Sequence, residues 1–451
     1  MQVVDTFHLE TIKNTVKPGA KILFANFPAD GHFNPLTGIA VHLKKSGYDV
    51  RWYTGSAYTE KIARLGIPYY EFKRALEIRA DKIDELLPER KNHKSQVAKL
   101  KFDLINVFIL RSTEYYDDIR EIHESFSFDL VIADVAFSAI PLIKEHMHIP
   151  VISIAIVPLP ETSKDLAPTG LGLTPSKSFF GKRKQAFLRF FADAVLFKKP
   201  NNVFKEILSR YGITAEGNLF DVNVRKSNLL LQSGTPGFEY YRSDMSRNVR
   251  FVGPLLPYSK KKGEPWYNEK LTRYRKVILV TQGTVEKDVT KIIVPTLEAF
   301  KNSEYLVVAT TGGSDTKALR EKYPQENIII EDFILFDDVM PYADVYVTNG
   351  GYGGVMLGIQ NGLPLVVAGV HEGKNEINAR IGYFKLGVNL KTERPVPEQI
   401  KNAVSEIFSN GGYRKNVFAL SKEFSQYNPG ELCAYYVEEL LAITQPEELT
   451  V

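Results

Sequence analysis

The stretch ADVYVTNGGYGGVMLGIQNGLPLVVAGVHEGKNEINARIGYFKLG, residues 343–387, is the part of the sequence that decides the fold. It begins with an apolar run at 345–347, passes through four glycines within 350–354 and continues as a helix-compatible run at 355–360. A second apolar run, 363–368, follows directly. Because parallel strands are joined by helical crossovers, this order predicts a βαβ unit in a parallel sheet.

The glycine turn at 350–354 has the chemistry of a phosphate cradle. Glycines let the backbone approach an anion closely, and the unpaired N–H groups of the first helical turn point towards it. A P-loop is excluded because no Gly-Lys-Ser/Thr follows, and the dinucleotide fingerprint is excluded because its third glycine would fall at Met356. A tight strand-to-helix turn without a ligand is the alternative.

Length and composition bound the class of protein. With 451 residues the chain exceeds the size of a single core, so two domains are expected. A net charge of +4 without a long run of like charges disfavours a nucleic-acid partner. The single cysteine, Cys433, excludes internal disulfides and cysteine-based metal clusters. The absence of a long apolar run and of a signal-peptide pattern predicts a cytoplasmic protein without stable membrane insertion.

Strands alternate with helical segments in both halves of the chain. This alternation predicts an α/β fold with doubly wound parallel sheets, in which ligands bind beyond the carboxyl ends of the strands. The predicted strands are 21–27, 48–53, 129–134 and 151–157 in the first half, and 276–281, 305–310 and 327–330 in the second. The Gly- and Pro-marked segment 233–257 is predicted to end the first domain and begin the linker.

The block 343–387 resembles the donor-binding signature of family 1 nucleotide-sugar glycosyltransferases, the group that contains UDP-glucosyltransferases and macrolide glycosyltransferases. Its glycine turn, Gly362-Leu363-Pro364 and Asn378-Ala379 match the family pattern in order and spacing. The resemblance implies the GT-B fold, with two facing doubly wound (Rossmann-like) domains and an interdomain cleft. The implied parts are an N-terminal acceptor-binding domain at 1–255, a nucleotide-sugar-binding domain at 256–430, and a C-terminal helix at 431–451 that crosses back onto the first domain.

His32 is the candidate general base. It follows the first predicted strand in Gly-His-Phe-Asn-Pro, ahead of a helix predicted from the apolar pattern at 36–43, and this segment looks like the one that carries the base in this family. Asp134 ends a predicted strand and resembles the aspartate that orients that base. An imidazole can accept a hydroxyl proton near neutral pH, and a carboxylate fixes its tautomer. Asp129 is the rival carboxylate, but it begins its strand and should lie at the opposite edge of the sheet. For His32 itself, the alternative is a surface or packing role without catalysis.

The resemblance also assigns residues to the nucleotide. It places Gly283 and Thr284 beside the diphosphate, a role that small residues after a strand suit because they present amides and hydroxyls. It stacks Phe333 on uracil and has the backbone of Ile334 read the edge of the base. The diphosphate turn itself comprises Asn349, Gly351, Tyr352, Gly353 and Gly354.

The chain departs from the family pattern at several donor-binding positions. Asn349 stands where the family has a histidine, and Gly354 where it has a serine. The ribose-binding glutamate falls on Leu357, which cannot bind a diol. Gln360 lies three residues later on the same helical face and is the candidate replacement.

The sugar-reading Asp-Gln pair of the family is replaced here by Lys374 and Asn375, with Glu372 two positions earlier. Lysine only donates hydrogen bonds, so Glu372 or Asn375 would have to accept from the sugar hydroxyls. UDP-glucose is the first expected donor, followed by UDP-N-acetylglucosamine or a 6-deoxysugar and then UDP-glucuronic acid. UDP and TDP are not distinguished at this stage.

Together, the residues and the resemblance indicate an inverting glycosyltransferase that moves a hexose from a UDP-sugar to a hydroxyl of a small, partly apolar acceptor. Phenols, flavonoids, macrolides and lipid-like alcohols are the expected acceptor classes, and neither a metal nor a cofactor is expected. The predicted acceptor pocket includes Phe33, Phe108 and Val157. A UDP-N-acetylhexosamine epimerase of the same fold and a non-catalytic nucleotide-sugar-binding relative are the alternatives, and the oligomeric state stays open.

The segment 177–208 carries phenylalanines interleaved with basic residues in a helical pattern. The first interpretation is a helix that packs on the sheet and exposes a basic face. A rim of the acceptor pocket and a reversible contact with a membrane surface are the alternatives.

Overall fold

The computed structural model describes residues 19–79, 82–259, 264–283, 286–371 and 373–444. Within these ranges the strands form two separate parallel sheets. The first sheet contains β1 (Lys21–Ala25), β2 (Asp49–Thr54), β3 (Tyr69–Glu71), β4 (Leu130–Asp134), β5 (Val151–Ala155), β6 (Leu229–Ser233) and β7 (Val249–Gly253). The second contains β8 (Val277–Thr281), β9 (Leu306–Thr310), β10 (Ile328–Glu331), β11 (Val345–Thr348), β12 (Leu365–Val367) and β13 (Gly387–Asn389).

Both sheets have a doubly wound strand order. The first is ordered β3-β2-β1-β4-β5-β6-β7 and the second β10-β9-β8-β11-β12-β13, with parallel pairing throughout. Along β1, Ile22 and Phe24 belong to one buried cluster while Leu23 and Ala25 belong to another. Both faces of the sheet are therefore covered, as parallel sheets require. The predicted pair of doubly wound α/β domains is confirmed.

The helices of the first half connect these strands across both faces. They are α1 (Asp30–Lys45), α2 (Thr59–Leu65), α3 (Ile83–Leu86), α4 (Gln96–Asp103), α5 (Arg111–Ser125), α6 (Ile140–His146), α7 (Phe179–Phe191), α8 (Lys198–Ser209) and α9 (Leu219–Lys226). Short 3-10 turns occur at Ser56–Tyr58, Pro88–Asn92 and Pro236–Phe238, and π-helical turns at Leu104–Ile109 and Ala192–Leu196.

The second half repeats the arrangement around its own sheet. Its helices are α10 (Lys270–Arg273), α11 (Ile293–Phe300), α12 (Thr316–Lys322), α13 (Phe336–Val339), α14 (Tyr352–Gln360), α15 (Lys374–Tyr383), α16 (Pro397–Ser409), α17 (Gly411–Phe424) and α18 (Pro429–Thr444), with a 3-10 turn at Met340–Tyr342.

The last helix, α18, packs on the first domain although it follows the second in sequence. It lies against α1 and β7, and Tyr436 and Val437 are buried in the same cluster as Leu36 and Ile39 of α1. His42 of α1 also pairs with Glu431 at 3.7 Å. The chain therefore crosses between the two halves twice, once between β7 and β8 and once before α18.

Three sequence predictions differ from the structure. Helix α1 begins at Asp30 rather than after Pro35, because one proline close to a helix start removes only one internal hydrogen bond. The predicted end of the first domain, 233–257, contains β7, an edge strand of the first sheet that was not among the predicted strands. In α7 the phenylalanines are exposed instead of packing on the sheet.

Candidate active site

His32 and Asp134 meet at the carboxyl edge of the first sheet. Ala25 at the end of β1 pairs with Ala133 of the adjacent β4, so the residues that follow these strands are neighbours. The ring nitrogen Nδ1 of His32, in the first turn of α1, lies 2.8 Å from Oδ1 of Asp134. With Nδ1 donating to the carboxylate, Nε2 is the nitrogen that can accept a proton.

The Asp134 carboxylate is buried and fully oriented by backbone amides. Its side chain is 0% exposed, whereas that of His32 is 23% exposed. The Phe27 amide donates to Oδ2 at 2.7 Å and the Ala136 amide donates to Oδ1 at 2.8 Å. Asp129, by contrast, accepts from the amide of Lys21 at the opposite end of β1. A buried, hydrogen-bonded carboxylate beside a partly exposed imidazole is the arrangement that general-base catalysis needs.

Aromatic rings line one side of His32. The Phe27 ring contacts the His32 ring edge-on at 5.4 Å between centroids and stacks on Phe108 at 4.7 Å. Phe27 was not predicted from the sequence, although its position directly after β1 is a signal that could have indicated it. Val157 is half-buried after β5, and its carbonyl accepts a hydrogen bond from Gln232.

Phe33 does not belong to this aromatic wall. Its side chain is 1% exposed and packs against Trp52 and Tyr58 in the core beneath α1. The prediction of Phe33 in an acceptor pocket is therefore corrected, because adjacent helical residues point about 100° apart and His32 takes the open side.

The glycine turn after β11 is held closed by two asparagines. Asn349 donates its side-chain amide to the carbonyl of Gln282 and accepts from the amide of Gly351 at 3.2 Å. Asn378, from α15, donates to the carbonyl of Gly369 at 2.9 Å. The Asn349 side chain, predicted to contact a diphosphate, is thus engaged in joining the turn to the loop after β8.

Gly350 needs glycine for two separate reasons. Its φ angle is +85°, and a Cβ added there would lie 1.8 Å from Oδ1 of the buried Asn378. Two positions into α14, at Gly353, a Cβ would meet nothing within 4 Å. The space beside Gly353 is therefore empty, and the amides of Gly353 and Gly354 lie in the first turn of α14, where they have no partner within the helix.

Substituting Gly350 with alanine is expected to destabilise the fold by about 2–3 kcal/mol, since the left-handed backbone and the contact with Asn378 both oppose a side chain. Gly353→Ala is the matched control and should change the free energy of unfolding by less than about 1 kcal/mol. Urea denaturation of both variants measures the difference. Equal stability of the two would show that Asn378 does not fill the space beside Gly350.

The loops after β8, β9 and β10 converge beside this turn. A Cβ on Gly312 would lie 3.6 Å from the carbonyl oxygen of Gly283, and one on Gly313 would lie 3.8 Å from the Phe333 ring. Phe333 is 70% exposed, whereas Ile334 is buried at 8%. Thr284 lies outside the described residues.

Two residues of the predicted donor site have side chains that contact the first domain. The Tyr352 hydroxyl donates to the carbonyl of Ser233 at 2.6 Å, and Asn375 donates to the carbonyl of Gly170 at 2.6 Å. Both side chains are therefore engaged at the domain interface, while the backbone of Tyr352 belongs to the glycine turn and the sugar-binding role of Asn375 stays a prediction. Lys374 begins α15, and Glu372 lies outside the described residues.

Gln360 is the exposed last residue of α14. Its carbonyl accepts from the Ser421 hydroxyl of α17 at 2.7 Å, which fixes the end of the helix. Long helical side chains lean towards the helix N-terminus, so the side chain at this position can reach back along α14.

A buried ion cluster joins the two domains and was missed by sequence reasoning. Arg380 of α15 pairs with Glu376 on its own helix at 3.3 Å and with Glu239, which follows β6 in the first domain. The Arg380 guanidinium also lies over the Tyr240 ring, 4.2 Å from its centroid. Burial alone would lower the pKa of Arg380, but Glu239 and the neighbouring Tyr240 and Glu376 raise it above its usual value. The spacing of Glu376 and Arg380 by four residues was the available signal.

Glu376 also holds a glycine loop of the first domain. Its Oε1 accepts from the amides of Gly170 at 2.9 Å and Gly172 at 2.8 Å. The loop before α7 therefore sits on the first turn of α15, next to Lys374 and Asn375. This contact places first-domain backbone beside the positions predicted to read the sugar.

Among the described residues, no three His, Cys, Asp or Glu side chains cluster closely enough to hold a metal ion. Within the same ranges, no helix is both long and apolar enough to cross a membrane.

A family model described as "UDP-glucoronosyl and UDP-glucosyl transferase" matches residues 117–439. The chain is 32% identical over 410 residues to 4'-demethylrebeccamycin synthase of Lentzea aerocolonigenes, with 90% of this chain and 96% of that relative covered. It is 28% identical over 448 residues to UDP-glycosyltransferase 2 of Phaeomoniella chlamydospora, with 96% and 97% covered.

Solved structures show the same architecture. CalG4, the calicheamicin glycosyltransferase, matches with a TM-score of 0.73 at 20% identity over 95% of this chain and 100% of its own. The glycotransferase of kitacinnamycin matches with a TM-score of 0.72 at 18% identity over 94% and 100%. The chain therefore belongs to the UDP-glucuronosyl and UDP-glucosyl transferase family, and it is a glycosyltransferase with the GT-B fold.

Proposed function

We propose that this enzyme transfers a hexose from a UDP-sugar to a hydroxyl of a small, partly apolar acceptor, with inversion at the anomeric carbon. His32 acts as the general base and Asp134 orients it. The observation that carries this proposal is the distance of 2.8 Å between the His32 and Asp134 side chains. His32 lies on α1, and α1 packs against α14, the helix that follows the glycine turn in the other domain. The base and the phosphate cradle thus belong to two helices that contact each other across the domains.

The nucleophile is generated by proton transfer to Nε2 of His32. As the acceptor oxygen loses its proton, the imidazole becomes an imidazolium that the buried Asp134 carboxylate stabilises. The oxygen then attacks the anomeric carbon from the face opposite the diphosphate, and the bond between that carbon and the diphosphate oxygen breaks. The configuration at the anomeric carbon is inverted by this single displacement.

The leaving diphosphate accepts hydrogen bonds from the backbone at the start of α14. The amides of Gly353 and Gly354 point out of the helix, and the helix dipole adds a partial positive charge there. The loop at Gly283 lies beside this turn through the link between Asn349 and Gln282. In this chain Asn349 shapes the cradle, and the backbone supplies the donors.

The nucleoside occupies the loop edge around Phe333. An exposed ring over a glycine turn offers a flat apolar face to a uracil, and the backbone of Ile334 reads the edge of the base. Gln360 hydrogen-bonds the ribose. It takes the role of the family's glutamate, whose position is occupied by Leu357 in this chain. Lys374 donates to the sugar hydroxyls, beside the loop that Glu376 holds.

The acceptor lies against the aromatic wall next to the base. Phe27 and Phe108 stack on one another beside His32 and present an apolar surface to a phenol, flavonoid, macrolide or lipid-like alcohol. Val157 extends that surface at the end of β5. An acceptor with an apolar body and one reactive hydroxyl fits this combination of rings and imidazole.

The proposed reaction is tested by incubating the protein with UDP-glucose and a panel of phenolic and alcoholic acceptors, followed by mass spectrometry and NMR of the products. We expect a β-glucoside and UDP, because UDP-glucose carries an α-linkage that inversion converts. Free glucose or an epimerised sugar without glycoside would contradict transfer, and a retained α-linkage would contradict the single displacement. UDP-N-acetylglucosamine, UDP-glucuronic acid and a TDP-sugar are run in parallel to rank donors.

Phe333→Ala is expected to weaken UDP binding by about 1–3 kcal/mol, the scale of one base–aromatic stack. Tyr241→Ala is the matched control, since Tyr241 is 81% exposed and follows β6 in the first domain, whereas the proposed UDP contacts belong to the second. Isothermal titration of UDP measures both variants. An unchanged Kd for Phe333→Ala would remove the ring from the uracil site.

A further inference from the structure

The solvent-facing side of α7 is aromatic. Phe179, Phe180, Phe187 and Phe190 are 63%, 83%, 64% and 67% exposed, and Phe191 is exposed as well. Exposed apolar surface of this kind on one element marks a contact with a partner or a membrane. The proposed glycosyl transfer makes no use of these rings.

The opposite side of α7 is already attached to the domain. Gln185 and Ala192, which share the other face, are buried, and the Gln185 amide donates to the carbonyl of Thr174 at 3.0 Å. The Ser178 side chain caps the helix start by accepting from the amide of Gly181 at 3.1 Å. The helix is therefore docked with its phenylalanines outwards, and their exposure is not a consequence of an unattached helix.

Basic residues surround the exposed rings. The Arg183 guanidinium lies 4.8 Å from the centre of the Phe179 ring, in the middle of the aromatic face. Between residues 177 and 199, Asp193 is the single acidic residue. The exposed basic residues of that stretch are Lys177, Lys182, Arg183, Lys184, Lys198 and Lys199, whereas Arg189 is half-buried and donates to the carbonyl of Leu166.

We propose that this face, defined by the exposed phenylalanines of α7 and the basic residues at 177–199, docks on an anionic lipid surface. An interfacial helix buries its apolar face at the headgroup boundary, and flanking Lys and Arg side chains contact anionic headgroups. A second copy of the chain fits less well, because two such faces would place positive charge against positive charge. Docking of this kind needs no membrane-spanning helix.

Flotation of the full chain with vesicles tests this proposal. Vesicles of phosphatidylcholine alone are compared with vesicles that contain about one third phosphatidylglycerol, the lipid that supplies the negative charge. We expect flotation only with the anionic vesicles, and loss of flotation at high salt, which screens the charges. Absence of binding to the anionic vesicles would overturn the proposal.

Two variants and one control assign the binding to this face. Phe180→Ser with Phe187→Ser and Phe190→Ser removes apolar area, while Lys182→Glu with Lys184→Glu reverses charge. Each variant should lower the vesicle partition coefficient by at least about tenfold. Tyr241→Ser with Phe418→Ser, two exposed aromatic positions elsewhere, should bind like the wild type.

Three further readouts distinguish lipid docking from misfolding, from a catalytic defect and from self-association. Thermal melting must show that each variant folds, which is expected because the changed side chains are exposed. Transfer to a water-soluble acceptor should be unchanged, since none of these residues belongs to the proposed catalytic or binding machinery. Retained flotation by the phenylalanine variant, or a wild-type dimer that this variant dissociates in light scattering, would overturn the assignment to lipid.

Discussion

Replacing His32 with alanine is expected to lower kcat by about two to four orders of magnitude, the scale on which enzymes lose a general base. The side chain that is removed is the one whose Nδ1 contacts the buried Asp134 at 2.8 Å. The Kd for UDP should stay within a factor of about two, because the donor contacts proposed here belong to the second domain. Steady-state kinetics with UDP-glucose and one fixed acceptor, together with titration of UDP, measure both quantities.

His42→Ala is the matched control for this variant. His42 lies on the same helix, is 30% exposed compared with 23% for His32, and pairs with Glu431 instead of a buried aspartate. Its kcat should remain close to that of the wild type. If the two alanine variants had similar activity at pH 7, His32 would not be the base.

Arg380→Met is expected to cost about 3–5 kcal/mol of stability, because it leaves Glu376 without this cation and Glu239 with the more distant Arg242, at 3.8 Å. Glu239 and Arg380 come from different domains. The side chains of Arg380, Glu239 and Glu376 are 2%, 7% and 12% exposed. The variant should also loosen the Gly170–Gly172 loop that Glu376 holds. Chemical denaturation measures the loss of stability, and limited proteolysis at this loop reports the second effect.

Arg414→Met provides the comparison for the buried arginine. Arg414 is 65% exposed and pairs with Asp344 at 3.6 Å, so its loss should cost less than about 1 kcal/mol. Adding Glu376→Gln to Arg380→Met should recover part of the lost stability, because it removes a carboxylate charge that has lost Arg380 and keeps an oxygen that can accept from Gly170 and Gly172. Equal destabilisation by the two methionine variants would mean that the interdomain cluster does not stabilise the fold.

The positions of His32 and Asp134 at one edge of the first sheet followed from the order of elements in the sequence, but their contact did not. An aspartate at the end of one strand and a histidine just after another occupy the same edge of a parallel sheet. However, β1 and β4 are about a hundred residues apart in sequence. Whether they lie side by side depends on the strand order of the whole sheet. Local sequence patterns could identify the two residues but could not show that they touch.

The side-chain positions of Phe33, Tyr352 and Asn375 could not be read from the sequence, for one common physical reason. Each depends on which way a side chain points, and that is set by a helix start or by contact with the other domain. Phe33 turns inwards because α1 begins at Asp30, five residues before the proline that the sequence pattern places ahead of the helix. Tyr352 and Asn375 are used by Ser233 and Gly170, partners more than a hundred residues away.

The phenylalanines of α7 are a second case in which the sequence pattern did not show which way side chains point, since these face outwards where Phe33 faces inwards. Their spacing indicated an amphipathic helix, and the usual expectation is that the apolar face turns inwards. The buried side is instead formed by small and polar residues such as Gln185 and Ala192. A helical pattern defines two faces, and only the surrounding structure decides which of them is covered.

The most direct test of His32 as the general base varies the acidity of the acceptor. Turnover of wild type and His32→Ala is measured with two phenols of similar size, one neutral and one already ionised at the assay pH. We predict a loss of about two to four orders of magnitude for the neutral phenol and a much smaller loss for the ionised one, which needs no base. An equally large loss with both phenols would contradict proton removal by His32.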